Sequence, residues 1–131
     1  MTFGPKNAAH EYMSGNAANT AQAKTAIKGK TFIDIVPGGN PQCPAVQTAA
    51  AGSYPWAIAG WDADPLIDEG VVTGQRRGAW SVTAGEVLAD GDVLAVGAGG
   101  KAVKWVAPAH VVGKARGSAV LNGDVAVDVN F

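Results

Sequence analysis

One short phrase occurs twice in this chain. Gly85-Glu86-Val87-Leu88-Ala89-Asp90-Gly91-Asp92-Val93 returns as Gly117-Ser118-Ala119-Val120-Leu121-Asn122-Gly123-Asp124-Val125. Each copy is a brief apolar run, a corner at Asp90-Gly91 or Asn122-Gly123, an aspartate, and then a valine-rich stretch. Asp-Gly and Asn-Gly supply the positive φ that tight two-residue hairpins require, so the repeat predicts paired short strands. Neither copy carries a nucleophile, a histidine or a cluster of metal ligands, which points away from catalysis.

The spacing of the remaining apolar stretches extends that reading. Residues 31–36, 55–61, 71–73, 79–83, 93–96, 102–106 and 111–115 read as strands, divided by Gly, Pro, Asp and Arg corners at intervals typical of sandwiches and barrels. Residues 42–53 lack a period and read as a long loop. The last stretch alternates cleanly, with Val125, Val127, Val129 and Phe131 on one face and Ala126, Asp128 and Asn130 on the other, so one face is buried and one is wet. No amphipathic helix of useful length follows residue 30, which excludes βαβ folds. Eighteen glycines among 131 residues and a charged fraction of only 16% fit a turn-rich, all-β chain.

Residues 1–27 are different. Asn, Ala, Gly and Thr dominate, and Phe3, Tyr12, Met13 and Ile27 are the large apolar residues. Residues 17–26 could form a turn or two of helix, but without an apolar stripe it would have little reason to persist alone. Residues 1–33 are also basic: Lys6, Lys24, Lys28 and Lys30 outweigh Glu11, in a chain whose net charge is -1. The expected organisation is an extended arm over 1–30 and a small antiparallel barrel or sandwich over 31–131.

Functional motifs are rejected one by one. Cys43 is alone, so an internal disulfide and a cysteine-based zinc site are excluded. Gly29-Lys30-Thr31 lacks the leading glycine of a phosphate loop and precedes a strand instead of following one. Gly97-Ala98-Gly99-Gly100 reads as a hairpin turn. Asp62, Asp64, Asp68 and Glu69 miss the EF-hand spacing and read as a solvated acidic loop. Arg76-Arg77 is too small a basic patch for nucleic acid. His10 and His110 have no partners in sequence that suggest a catalytic set. No signal-like or membrane-length apolar run appears, so a soluble protein made in a cytoplasm is expected, with no cofactor, metal, nucleic-acid or membrane partner. Trp56, Trp61, Trp80 and Trp105 are more aromatic surface than so small a body needs. They are either core residues or anchors at an interface.

Gly78-Ala79-Trp80-Ser81-Val82-Thr83-Ala84-Gly85, Leu88-Ala89-Asp90-Gly91-Asp92-Val93, Gly99-Gly100-Lys101-Ala102-Val103, Val112-Gly113-Lys114-Ala115 and Gly123-Asp124-Val125-Ala126-Val127 together resemble the capsid decoration (cement) proteins of tailed bacteriophages. The resemblance covers about 78–131, with a looser fit over 28–77. It implies a non-enzymatic virion protein with a β-tulip-like body. Such a protein binds the major capsid protein on the outer surface of the head, as homotrimers at three-fold positions. Phe3, Tyr12, Lys24, Lys28, Lys30, Trp56 and Trp61 are then the candidate capsid or subunit contacts, and Asp90, Gly91, Asn122 and Gly123 form turns. Two alternatives compete. Residues 86–102 also resemble the central hairpin of lipoyl and biotinyl carrier domains, with Lys101 as the modified lysine. A phage fibre or receptor-binding module would be all-β as well.

Overall fold

A computed structural model describes residues 18–131. The fold is all-β, with ten strands: β1 (Ala18–Ala23), β2 (Phe32–Asn40), β3 (Cys43–Thr48), β4 (Ala57–Ala59), β5 (Val71–Gln75), β6 (Arg77–Thr83), β7 (Val93–Val96), β8 (Ala102–Lys104), β9 (Gly113–Ala115) and β10 (Asp124–Asn130). A short 3-10 turn, Ala98–Gly100, joins β7 to β8. The first five strands close into a barrel in the order β1-β3-β2-β4-β5. The last five form a sheet in the order β6-β10-β9-β7-β8. One parallel bridge, Ala84 to Ala102, brings β8 back beside the end of β6, so this sheet is a second barrel closed at a single point.

The two barrels are copies of one plan. In each, the first strand is antiparallel to the fifth and parallel to the third, and the second is antiparallel to the third and fourth. The loops agree bond for bond. Ile27 and Ala63 exchange backbone hydrogen bonds of 2.7 and 3.0 Å, and Leu88 and Ala119 exchange bonds of 2.9 and 2.9 Å. The Ala23 N–H donates to the Gly70 carbonyl at 2.7 Å, as that of Ala84 does to Gly123 at 2.8 Å. The Lys30 N–H donates to Ala59 at 2.9 Å, as that of Gly91 does to Ala115 at 2.9 Å. The Lys24 N–H donates to Val46 at 2.8 Å, as that of Gly85 does to Ala102 at 2.7 Å.

This duplication corrects the sequence reading in two ways. First, both copies of the repeated phrase lie within the second barrel as opposed loops, the larger repeat being that of the barrels themselves, and the register of the phrase differs by one residue from its alignment in sequence. Leu88 faces Ala119, not its apparent counterpart Val120. The turns explain the shift. The Asp92 N–H closes a four-residue turn on the Ala89 carbonyl at 3.1 Å, with Gly91 at φ 87°. The Gly123 N–H closes the matching turn on Val120 at 2.9 Å, with Asn122 at φ 63°. Asn122 therefore answers to Gly91, and Lys30, at φ 60°, occupies the same place in the first barrel. Only one residue per turn has positive φ, the geometry of a type II turn rather than of the two-residue hairpins first expected.

Second, residues 18–30 belong to the body and not to an arm. β1 pairs with β5 from Ala18↔Gln75 to Gln22↔Val71 and with β3 at Gln22↔Ala45 and Ala23↔Val46. Ala21, Ala23 and Ile27 are buried. Small residues hide well here, because alanine reaches a narrow barrel interior that larger side chains would overfill. β3 likewise replaces the long loop expected over 42–53. Its proline, Pro44, weakens the strand signal, yet Ala45 and Val46 are buried and Val46 joins the core of the first barrel. Residues 1–17, with Phe3 and Tyr12, lie outside the described residues.

One hydrophobic cluster holds Ala21, Ala23, Ile27, Ile33, Val46, Ala57, Ala59, Ala63 and Val72 inside the first barrel. The other spans the junction: Phe32, Ala49 and Ile58 of the first barrel join Val82, Leu88, Leu94, Val96, Val125 and Val127 of the second. Phe32 is fully buried and meets Phe131 edge-on, with centroids 6.3 Å apart. A Cβ on Gly100 would stand 2.7 Å from the Phe32 carbonyl oxygen, so only glycine lets the 3-10 turn seat against β2. Backbone bonds cross the junction from Thr83 to Lys30 (2.8 Å), Gly52 to Val96 (2.8 Å) and His110 to Gly52 (3.1 Å).

Phe32→Ala should cost about 3–5 kcal/mol, the range for truncating a buried Phe. Because both barrels share this core, urea unfolding followed by fluorescence and by far-UV circular dichroism should remain one coincident transition at a lower midpoint. Two separated transitions would show that the barrels fold independently.

Candidate interaction surface

The four tryptophans stand at the margins of the two cores. Trp56 and Trp80 are partly buried and pack against the clusters from outside, while Trp61 is 51% and Trp105 42% exposed. Each indole N–H of the latter pair is tied to backbone: Trp61 to the Val71 carbonyl at 3.0 Å, Trp105 to Ala109 at 2.6 Å. Trp56 is held from its surroundings by Arg76, whose guanidinium lies 5.5 Å from the ring centroid and whose Nε donates to the Trp56 carbonyl at 3.1 Å. Burial pushes the Arg76 pKa below its ordinary value.

Trp56 also walls a cavity of about 400 Å³. Its other walls come from the β2–β3 hairpin, with Ile35, Pro37, Pro41 and Pro44, and from Asn19 of β1. The Asn19 Nδ2 is shielded from solvent and has no hydrogen-bond acceptor. In the second barrel the equivalent hairpin is cut to the Ala98–Gly100 turn, and that turn is seated on the first barrel.

A further pair of depressions matches across the duplication. Ala26, Ile27, Lys28, Asp62, Ala63 and Asp64 line one; Val87, Leu88, Ala89, Ser118, Ala119 and Val120 line the other, residue for residue. The floors are alike, but the rims are not. Lys28, Asp62 and Asp64 in the first barrel stand where the second carries Ala89, Ser118 and Val120. The aspartates there serve the loop itself: Asp62 accepts from the Gly29 N–H (2.7 Å), Asp64 from Leu66 (2.9 Å) and Asp68 from Gly70 (2.6 Å). Among the described residues no group of three or more His, Cys, Asp or Glu side chains is arranged to hold a metal ion.

The candidate contact residues are scattered over this surface. Lys24 is exposed, and its amine would lie 2.9 Å from a Cβ on Gly38 of the hairpin. Lys28 is on the rim of the first depression. Lys30 is committed within the chain, since its amine meets Asp124 across the barrel junction at 2.7 Å. Lys101, the lysine of the carrier-domain alternative, donates to Asn122 Oδ1 at 2.9 Å instead of projecting from a hairpin tip. The sequence reading missed the exposed apolar tips. Leu66 and Ile67 are 93% and 85% exposed, and Val120 and Leu121 are 70% and 57% exposed. The adjacent apolar pair inside the acidic loop was the available signal, for a solvated loop has no need of Leu-Ile.

No protein-family model matches this chain, and no curated protein matches it. Among solved structures it is similar to the N base of the head fibre protein gp8.5 of bacteriophage phi29, at 27% sequence identity and a TM-score of 0.70. The similarity covers 86% of this chain and 92% of the other. The expected likeness to capsid-associated phage proteins therefore holds at the level of fold and sequence together.

The Lys30–Asp124 pair gives a direct check on the placement of Lys30. Both side chains are about half exposed, so the pair should contribute no more than about 1 kcal/mol. In a double-mutant cycle with Lys30→Ala and Asp124→Ala, the coupling in urea melts should be positive, small and lost at high salt. Zero coupling at low salt would return Lys30 to the pool of outward contacts.

Proposed function

We propose that this protein is a virion component that binds the outer surface of a bacteriophage head and braces the shell. It does so as a homotrimer seated on the major capsid protein at three-fold positions, and it is not an enzyme. The single observation that carries this reading is the likeness to the phi29 head fibre base, which extends over nearly the whole of both chains. The surface supports it. Apolar tips at Leu66-Ile67 and Val120-Leu121 offer contact area, and the chemistry-bearing side chains near them are occupied in local structure. Three joined chains would engage three sites at high effective concentration, so that modest individual contacts yield firm attachment.

A second reading is favoured by the neighbour's own description as the base of a head fibre. Here the barrels are the seat on which a projecting structure stands, and bracing is secondary. The two readings separate in a reconstruction of decorated heads: compact caps support the brace, whereas density extending outward supports the seat.

The test is reconstitution. Purified protein added to heads that lack it should saturate a fixed number of surface sites and raise the temperature at which DNA escapes. Deleting residues 1–17 should lower occupancy at a given concentration if this segment grips the shell, with circular dichroism and urea stability measured alongside to show that the body is intact. Heads that take up no protein would overturn the reading.

A further inference from the structure

The internal duplication specifies where a second copy of this chain should bind. Within one chain the first barrel presents Phe32, Ala49 and Ile58 to the second, and the second receives them beside Val96 and Val112. The register fixes what corresponds to each. Ile35 pairs with Val46 as Val96 pairs with Ala102, so Ile35 answers to Val96 and Val46 to Ala102. Counting on from Val46 and Ala102, Ala49 answers to Trp105 and Ala50 to Val106. The matched bonds at Ala59 and Ala115 make Trp56 answer to Val112.

Among the described residues, parts of both halves of this contact recur with no second barrel against them: Ala49 answers to the exposed Trp105, whereas Phe32 and Ile58 answer to Val93 and Lys114. The donor half is Trp105 and Val106, 42% and 71% exposed where their counterparts are alanines. The acceptor half is the cavity walled by Ile35 and Trp56, and Ile35 is 49% exposed where its counterpart Val96 is buried. The two halves have also changed size together. Inside the chain the small Ala49 shares a cluster with Val96, the residue that leads into the short Ala98–Gly100 turn, whereas the larger indole would meet the longer β2–β3 hairpin and its cavity of about 400 Å³. Large exposed apolar side chains flanked by an apolar hollow are the composition of an interface core.

We propose that Trp105 and Val106 of one chain enter the Ile35–Trp56 cavity of a second chain, repeating between molecules the junction made within each. The contact is head-to-tail, with different surfaces on the two partners, so it either closes into a ring or runs on as a filament. Three chains would complete a ring of alternating first and second barrels. The inference deepens the trimer part of the proposed function, yet it concerns free protein and needs no phage head.

Sedimentation of the full chain should give a species of three times 13.2 kDa. Trp105→Ala and Ile35→Asp change exposed positions, so each should keep the parent circular dichroism, and the urea midpoint should fall only by the concentration-dependent part that assembly contributes. Each should weaken assembly roughly 30-fold or more, the effect of losing an interface anchor. Mixing the two variants gives the decisive reading. One supplies an intact cavity and the other an intact Trp105, so a single contact is restored and two-chain species should form, but never rings. A monomeric parent chain would overturn the proposal, and so would assembly that survives both substitutions. Rings lost on deleting residues 1–17 while both point variants stay assembled would assign the cavity to the chain's own N-terminal segment. Uptake on heads is scored separately: variants that stay monomeric yet saturate heads would uphold this contact and refute the trimer as the binding form.

Discussion

The fold depends on an aromatic side chain that serves a barrel other than its own. Phe32 opens β2 of the first barrel, yet its ring lies among Val82, Leu94, Val96 and Val125 of the second. Burying an aromatic of this size removes roughly 150–250 Å² from water, more than any alanine or valine in either interior can contribute. The barrels are narrow and filled with Ala, Val, Ile and Leu, and Phe32 is the one aromatic buried in the core among the described residues. Their interiors become adequate by being joined, and Phe131, Ala49 and Gly100 are shaped around that join. A chain of this length supports two five-stranded units because they share part of their core.

The duplicated plan also separates what the fold requires from what the surface is for. The hydrogen bonds between opposed loops are the same in both barrels, and so are the buried bridge pairs Ile27–Ala63 and Leu88–Ala119. These positions close the barrels. The rims above them differ, with Lys28, Asp62 and Asp64 in one barrel where the other has Ala89, Ser118 and Val120. Backbone satisfaction constrains the first set in any setting, whereas only the surroundings constrain the second. The comparison of one half with the other thus serves as an internal control on which residues face a partner.

Much of this was legible in the sequence, and the gaps have physical causes. The turn residues Gly91 and Asn122 and the alternating β10 announced an all-β chain, because positive φ and period two leave direct marks on residue choice. β1 was invisible. Of its Ala, Asn, Thr and Gln residues only Thr20 favours a strand, and the segment is held by pairing on both sides. The first-barrel copies of the repeat were hidden for a related reason. Their likeness lies in backbone geometry, which Lys30 satisfies at φ 60° as Gly91 does at 87°, with no shared side chain to betray it. Lys30 was assigned to an outside contact as part of a basic arm over 1–30; that Asp124 lies opposite depends on the whole fold. The cavity beside Trp56 was out of reach, since it arises from strands distant in sequence.

Carrying both barrels on one polypeptide has a consequence for how such a surface can change. In a ring built from identical single-barrel subunits, each substitution is imposed on all positions at once. A charge useful at one place would then be forced on its neighbours. Covalent tandem copies lift that constraint. Lys28, Asp62 and Asp64 could be kept on one rim while Ala89, Ser118 and Val120 arose on the other, so one chain carries two chemically unlike versions of the same surface.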